Sequence, residues 1–287
     1  MKPPFPSLTS EWHDDTYPSI DPKRHELSMK GKTVIISGGG AGIGRGITQA
    51  FALAGASSIA ILGRRQALLD ECKGIVAADF PEVVVTTHVA DVTDELAVEK
   101  AAREVGEWDV LISNAGYLSS KAPLVESEPN EWWKGFEINV KGSYNMIRAF
   151  MPSRRKDATV ISVNAGYIQV SGAFSSTYSS YNSSKFAILK MFEILAVENP
   201  DLHVVSMHPG VVDTEMKRKN DMPSPHMDTM ELPSHFAVWL CSEESSFLRG
   251  RFVGKFLGRI HRFQASMLIF VQYVPFSFKI LARVVSV

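Results

Sequence analysis

Cysteine is scarce in this chain: Cys72 and Cys241 are the two among 287 residues. Far apart, they suit neither a disulfide framework nor a metal site, and the scarcity fits a reducing, cytoplasmic setting. Net charge is nearly absent, at −1, so the overall field gives no reason to expect a nucleic-acid partner. The N-terminal stretch MKPPFPSLTSEWHDD lacks an apolar run and does not read as a secretory signal. Internal repeats and low-complexity tracts are missing too. One further absence is local. In VISVNAGYIQVSGAFSSTYSSYNSSK, residues 160–185, the opening apolar run ends in asparagine and alanine, with no hydroxyl.

Hydrophobic residues make up 45% and charged residues 21%, ordinary values for a globular chain with a sizeable core. The length suits one large domain or two small ones. Short, β-branched apolar runs occur at 33–38, 57–63, 83–89, 109–113, 158–163 and 202–208, with helical stretches between them. That alternation predicts an α/β fold, a single doubly wound (Rossmann-type) domain built on a parallel sheet. Arg251-Phe252-Val253 can begin a last strand. The expected division is an N-terminal extension over 1–30 without a core pattern, a nucleotide-binding domain over 31–255, and a basic, apolar tail over 256–287.

The first strand runs into Ser37-Gly38-Gly39-Gly40-Ala41-Gly42-Ile43-Gly44, and a helical pattern follows at once. Glycines there permit a tight turn and let backbone N–H groups at a helix start approach a pyrophosphate. The strand–turn–helix context raises a glycine pattern above a flexible loop. With Gly38, Gly42 and Gly44 spaced GxxxGxG, the turn resembles the TGxxxGIG of the short-chain dehydrogenase/reductase family, serine replacing threonine. The resemblance continues through further landmarks and implies a nicotinamide cofactor. The second strand ends in Gly63-Arg64-Arg65, where an acid would bind the ribose 2′-hydroxyl of NAD. Without that carboxylate, and with Arg64 able to pair with a 2′-phosphate as a planar fork, the cofactor is expected to be NADP; the competing reading is a solvated helix start. Asp91-Val92 matches the family's adenine contact, although Asp91 or Thr93 can instead cap a helix. Ser113-Asn114-Ala115-Gly116 matches NNAG, and Pro209-Gly210-Val211-Val212-Asp213-Thr214 matches PGxVxT, whose backbone and Thr214 would meet the nicotinamide half.

Tyr181 and Lys185 lie one helical turn apart. A free phenol titrates near 10, too high for work at neutral pH, and a nearby ammonium lowers it. In the family this tyrosine gives or takes the alcohol proton, the lysine also holds the ribose, and an asparagine matched here by Asn139 helps hold a water linked to the lysine. A buried asparagine bonded to backbone is the plainer reading of Asn139. Tyr178 is followed four residues later by Asn182, not lysine. The family strand usually ends in a pair of serines whose second hydroxyl bonds the substrate carbonyl, and neither register of VISVNAG supplies one. Ser162 points to the other face and lies 19 residues before Tyr181. Asn164 can donate an N–H instead, a loop hydroxyl from SGAFSSTYSS can fold back, or carbonyl reduction is weak or lost. Losing one oxyanion donor costs on the order of 10²–10³ in rate.

Methionines 216, 222, 227 and 230 fall in a proline-broken loop, suited to a bulky, partly apolar small-molecule substrate. From Arg251 onward there are six basic residues and no acid. That tail can lie on an anionic membrane surface, or pack against the domain or a second copy in a homo-oligomer. The overall pattern looks like that of family members used in fungal secondary metabolism, and the resemblance implies an NADP-dependent oxidoreductase interconverting a ketone and a secondary alcohol. The alternative keeps the nucleotide site without redox turnover, as a scaffold, isomerase or cyclase.

Overall fold

The computed structural model describes residues 13–169, 172–220 and 227–254. The tail over 256–287, with its expected membrane or subunit contact, lies outside the described residues, as does Met222 in the methionine loop. Among the described residues no helix is long and apolar enough to cross a membrane.

Strands and helices alternate in chain order: β1 (Thr33–Ser37), α1 (Gly42–Leu53), β2 (Ser58–Gly63), α2 (Gln66–Asp79), β3 (Val84–Val89), α3 (Glu95–Val105), β4 (Trp108–Ser113), α4 (Pro129–Phe136), α5 (Gly142–Phe150), β5 (Arg154–Val163), α6 (Ser179–Glu198), β6 (His203–His208), α7 (Glu215–Lys219), α8 (Glu231–Trp239) and β7 (Arg251–Gly254). Among the described residues seven strands form one sheet in the order β3-β2-β1-β4-β5-β6-β7, and every pairing there is parallel. Strand order reverses between β1 and β4, so the crevice between their C-terminal ends is the natural ligand site of this topology.

The apolar runs are continuous because both sheet faces are covered. Successive residues point to opposite faces: Val34 and Ile36 pack into one core with Phe51, Leu69 and Phe236, while Ile35 packs into the other with Val98, Trp108, Phe150 and Phe192. Trp108 is anchored by its indole N–H donating to the Phe150 carbonyl at 2.7 Å.

Two expectations need correction. Residues 13–30 are not a leader without a core pattern, because Ile20, Leu27 and Met29 are buried in the first core. The Arg24 guanidinium also forks onto Glu244, 220 residues away. Strand β5 begins earlier than its apolar run. Its polar start, Arg154–Asp157, includes Asp157 at φ +59°, and its pairing with β4 shifts register between Trp108 and Val110.

Candidate active site

A cleft of about 290 Å³ opens outside the C-terminal ends of the strands. Its floor is the glycine turn. Gly38 has φ +69° and Gly42 +52°, a left-handed backbone that glycine adopts without strain. Gly44 is fixed by space instead: a Cβ there would lie 2.1 Å from the Gly38 carbonyl oxygen. Ser37 sits behind the turn, where its hydroxyl accepts the N–H groups of Asn114 and Ala115, each at 3.0 Å. The Asn114 amide donates back to the Ser37 carbonyl at 2.9 Å. The ends of β1 and β4 are thereby laced together beside the crevice. Among the described residues no side chain caps the start of α1, so its first-turn N–H groups are left to face an anion. Backbone approach, free N–H groups and a shaped floor fit the pyrophosphate of a dinucleotide.

At the far end of the cleft stand Arg64, Arg65, Asp91 and Val92. Arg64 lies 3.7 Å from Asp91, and Arg65 pairs with Glu215 at 3.0 Å. Arg64, Arg65 and Glu215 are exposed and Asp91 is half-buried, so these pairs contribute little to stability. Asp91 does not cap α3. One carboxylate oxygen takes the Thr93 N–H at 2.9 Å and the Thr93 hydroxyl at 2.8 Å, and the cap is Asp94, which accepts from Ala97. The other oxygen of Asp91 faces Arg64. Thr214 caps α7 through its hydroxyl, while a Cβ on Gly42 would meet its methyl group at 3.4 Å. Together with the Arg65–Glu215 pair, this brings the segment after β6 across to the glycine turn.

Tyr181 and Lys185 project from α6 onto the cleft wall. The Lys185 ammonium is buried and donates to the Val163 carbonyl at 2.8 Å; it lies 5.8 Å from the centre of the Tyr181 ring. Gly116 brings the end of β4 close by, since a Cβ on it would lie 3.5 Å from Nζ. Burial pushes the Lys185 ammonium down to about 8. Burial also pushes the Tyr181 phenol up, with the Tyr167 phenol adding to the effect. Burial therefore opposes the lowering expected of Tyr181 from the Lys185 charge.

Asn139 lies behind the wall in a π-helical turn, Glu137–Lys141, joining α4 to α5. Its Oδ1 accepts the Tyr117 N–H at 2.7 Å, and its Nδ2 donates to the Tyr117 carbonyl and to Ser184 Oγ, both at 2.9 Å. The Ser184 hydroxyl in turn donates to the Tyr181 carbonyl at 2.9 Å. Asn139 is thus the buried asparagine bonded to backbone, and through Ser184 it also braces the helix that bears Tyr181. Its backbone carbonyl accepts the Ser143 hydroxyl at 2.7 Å.

At the position of the missing serine, Asn164 is buried and its amide is engaged within the protein. Nδ2 donates to the Lys185 carbonyl at 3.1 Å, and Oδ1 accepts the Ala165 N–H at 2.8 Å. Ser162 is fully buried and its hydroxyl has no partner among the described residues. Two hydroxyls of the first turn of α6 face α4: Ser179 accepts the Trp132 indole N–H at 3.0 Å, and Ser180 donates to the Trp132 carbonyl. Ser171 lies outside the described residues.

Of the residues singled out from the sequence, Gly38, Gly42, Ile43, Gly44, Arg64, Asp91, Val92, Asn114, Gly116, Tyr181, Lys185 and Thr214 line the cleft. Ser37 and Asn139 support it from behind. Val212 is buried and bridges to Asp228. Sequence reasoning did not find Ile138 or Glu215, which also line it; neither falls at a fixed motif position.

The family profile described as short chain dehydrogenase matches residues 32–224. The short chain dehydrogenase mpl6 of Monascus purpureus is 35% identical over 271 residues, covering 88% of this chain and 89% of that one. Among solved structures, a short chain dehydrogenase from Escherichia coli CFT073 complexed with NADPH superposes with a TM-score of 0.72 at 20% identity, covering 81% of this chain and 99% of that one. The 3-ketoacyl-(acyl-carrier-protein) reductase of Brucella melitensis complexed with NADH gives 0.69 at 24%, with 79% and 97% covered. With the glycine turn, the seven-stranded parallel sheet and the Tyr181–Lys185 wall in place, this chain belongs to the short-chain dehydrogenase/reductase family.

Proposed function

We propose that this chain is an NADP-dependent oxidoreductase that interconverts a ketone and a secondary alcohol on a bulky, partly apolar small molecule, in secondary-metabolite biosynthesis. The observation that carries this reading is Tyr181 and Lys185 together on the wall of a cleft whose floor is shaped for a pyrophosphate. The glycine turn and the start of α1 bind the phosphates. Arg64, at the end of β2 where no acid stands, receives the 2′-phosphate after exchanging its contact with Asp91. Bound there, the cofactor supplies or accepts a hydride.

Tyr181 holds the proton that the developing alkoxide needs. Burial holds its proton more tightly than a free phenol's, which opposes transfer, and the Lys185 charge beside the ring works the other way. Lys185 is held against Val163 and supplies positive charge beside the reacting oxygen. Asn164 holds the strand end to α6 and leaves Tyr181 to act without a serine partner, so slow turnover is expected. Membership of an oxidoreductase family and relatives named as short chain dehydrogenases of Monascus support turnover over nucleotide binding alone.

The test is titration with NADPH and NADH, followed by NADPH consumption across a broad ketone panel with wild type and Tyr181→Phe. Preference for NADPH, and consumption that the substitution removes, is the expected result. NADPH bound without any consumption would instead place the chain among non-redox members of the fold.

A further inference from the structure

We propose that His208 is a positioning residue that fixes the two turns bordering the nicotinamide end of the cleft, the turn after β5 and the Pro209–Gly210 turn after β6. The inference rests on the cofactor reading above.

The ladder between β5 and β6 ends where Val163 pairs with Met207, closed by the Asn164 N–H donating to the Met207 carbonyl at 2.7 Å. Beyond that point the cleft opens and backbone no longer meets backbone. His208, the last residue of β6, spans the gap with its side chain. Its Nδ1 accepts the Gly166 N–H at 3.0 Å from the β5 side and the Gly210 N–H at 3.4 Å from its own turn. An imidazole nitrogen accepts hydrogen bonds when it carries no proton, so the two converging donors require the ring proton on Nε2.

Packing matches the bonding. A Cβ on Gly166 would lie 2.8 Å from ring atoms Cδ2 and Nε2 of His208, so the imidazole lies flush against the glycine backbone, and a larger residue at 166 would force them apart. On the other side, Gly210 has φ +88° and follows a proline, the chemistry of a type II turn. A side-chain acceptor receiving the N–H two residues on is the arrangement asparagine and aspartate make in Asx turns; here histidine makes it with a ring nitrogen.

The two turns hold functional groups. Pro209 lines the cleft with Val163, Asn164, Tyr181 and Lys185. Gly166 is followed by Tyr167, whose phenol bears on that of Tyr181. One acceptor therefore sets the spacing between the turn after β5 and the turn after β6, both beside the wall that carries the proton donor. Where the family strand would end in serines, this chain ends in Asn164-Ala165-Gly166, and the histidine secures that end.

The test compares His208→Leu and His208→Asn with wild type, using NADPH as probe. Affinity is read by calorimetry and the nicotinamide environment by its fluorescence in the saturated complex. His208→Leu is expected to keep NADPH affinity within about threefold, because the adenine and phosphate contacts lie elsewhere, yet to lose the nicotinamide fluorescence gain. With any ketone turned over, its kcat falls by up to about 10²-fold, as expected of a small misplacement. His208→Asn keeps an Oδ1 acceptor for the Gly210 N–H and recovers most of both signals. Nitrogen-15 NMR of wild-type imidazoles, assigned by difference against His208→Asn, should show the Nε2–H form for His208, and it decides the matter if His208→Leu fails to fold. A folded His208→Leu protein with wild-type fluorescence, or a proton on Nδ1, overturns the proposal. Wild type that binds no NADPH refutes the cofactor reading instead, and the NMR signature still judges the bonding at Nδ1.

Discussion

The two ends of the cleft are built from different materials. The phosphate end is backbone: Gly38, Gly42 and Gly44 form a surface by having no side chains, and a serine and an asparagine lace it from behind. The catalytic end is side chain: Lys185 reaches Val163, Asn164 reaches Lys185, Asn139 reaches Tyr117 and Ser184, and His208 reaches Gly166. A backbone surface tolerates no addition. A side-chain lattice tolerates exchange of a member, provided its bonds are remade. That difference explains how the chain keeps the family's glycine turn nearly intact while departing from it at the serine.

Adding one methyl group to the phosphate end should have the largest effect. Gly44→Ala places its Cβ 2.1 Å from the Gly38 carbonyl oxygen, an overpacking that costs about 1–3 kcal/mol or more. Calorimetry should show no measurable NADPH affinity, and thermal melting a lower Tm. Full-strength binding by this variant would show that the turn is not the phosphate cradle.

At the catalytic end, Lys185 links function to pH. Its folded-state value is lowered to about 8 from an ordinary 10.5. Between those values the unfolded chain binds the extra proton, so stability rises with pH there. Urea unfolding from pH 8 to 10 should show this rise in wild type, and Lys185→Met should lack it. Comparing the two curves removes the contributions of other groups. Parallel curves would mean that Lys185 is not desolvated.

The mouth of the phosphate end is charged and exposed, so smaller changes are expected there. Arg64→Ala should weaken NADPH by about tenfold, the scale of one charge-assisted bond moderated by exposure, while leaving NADH nearly unchanged. Equal loss for both cofactors would remove Arg64 as the selector. The smallest effect has the opposite sign. Gly74, inside α2, has open space where a Cβ would stand, so Gly74→Ala should stabilise by roughly 0.5–1 kcal/mol and leave NADPH binding alone. Paired with Gly44→Ala, it separates glycines kept for space from one that is not.

What the sequence disclosed follows the same division. Each apolar run became a strand, all but β5 within a residue or so, because β-branched runs in a buried parallel sheet leave little choice of state. The glycine turn and the Tyr181–Lys185 pair were legible because their spacing is local. Core positions in residues 13–30 were missed, since Ile20, Leu27 and Met29 follow neither a helical nor a strand period. The cap of α3 was misplaced because Asp91, Thr93 and Asp94 all suit a cap, and only the fold sends Asp91 toward Arg64. The burial that acts on the Tyr181 phenol was not legible, because charge neighbours can be guessed from spacing but desolvation cannot. The bonds of Asn139 to Ser184, Asn164 to Lys185 and His208 to Gly166 join residues 21 to 45 apart in the chain, and no local pattern announces them.

The central claim is that Tyr181 donates the proton in a reaction driven by hydride transfer, without the serine. Its most direct measurement is incubation with NADPH deuterated at nicotinamide C4 and a ketone panel, reading deuterium in the alcohol products by mass spectrometry. Wild type should place one deuterium on the former carbonyl carbon. Tyr181→Phe should bind NADPH equally and transfer it at least about 10²-fold more slowly, the scale of a lost general acid. Wild type that binds NADPH and leaves every ketone unlabelled, or a Tyr181→Phe protein that labels as fast, would contradict the account.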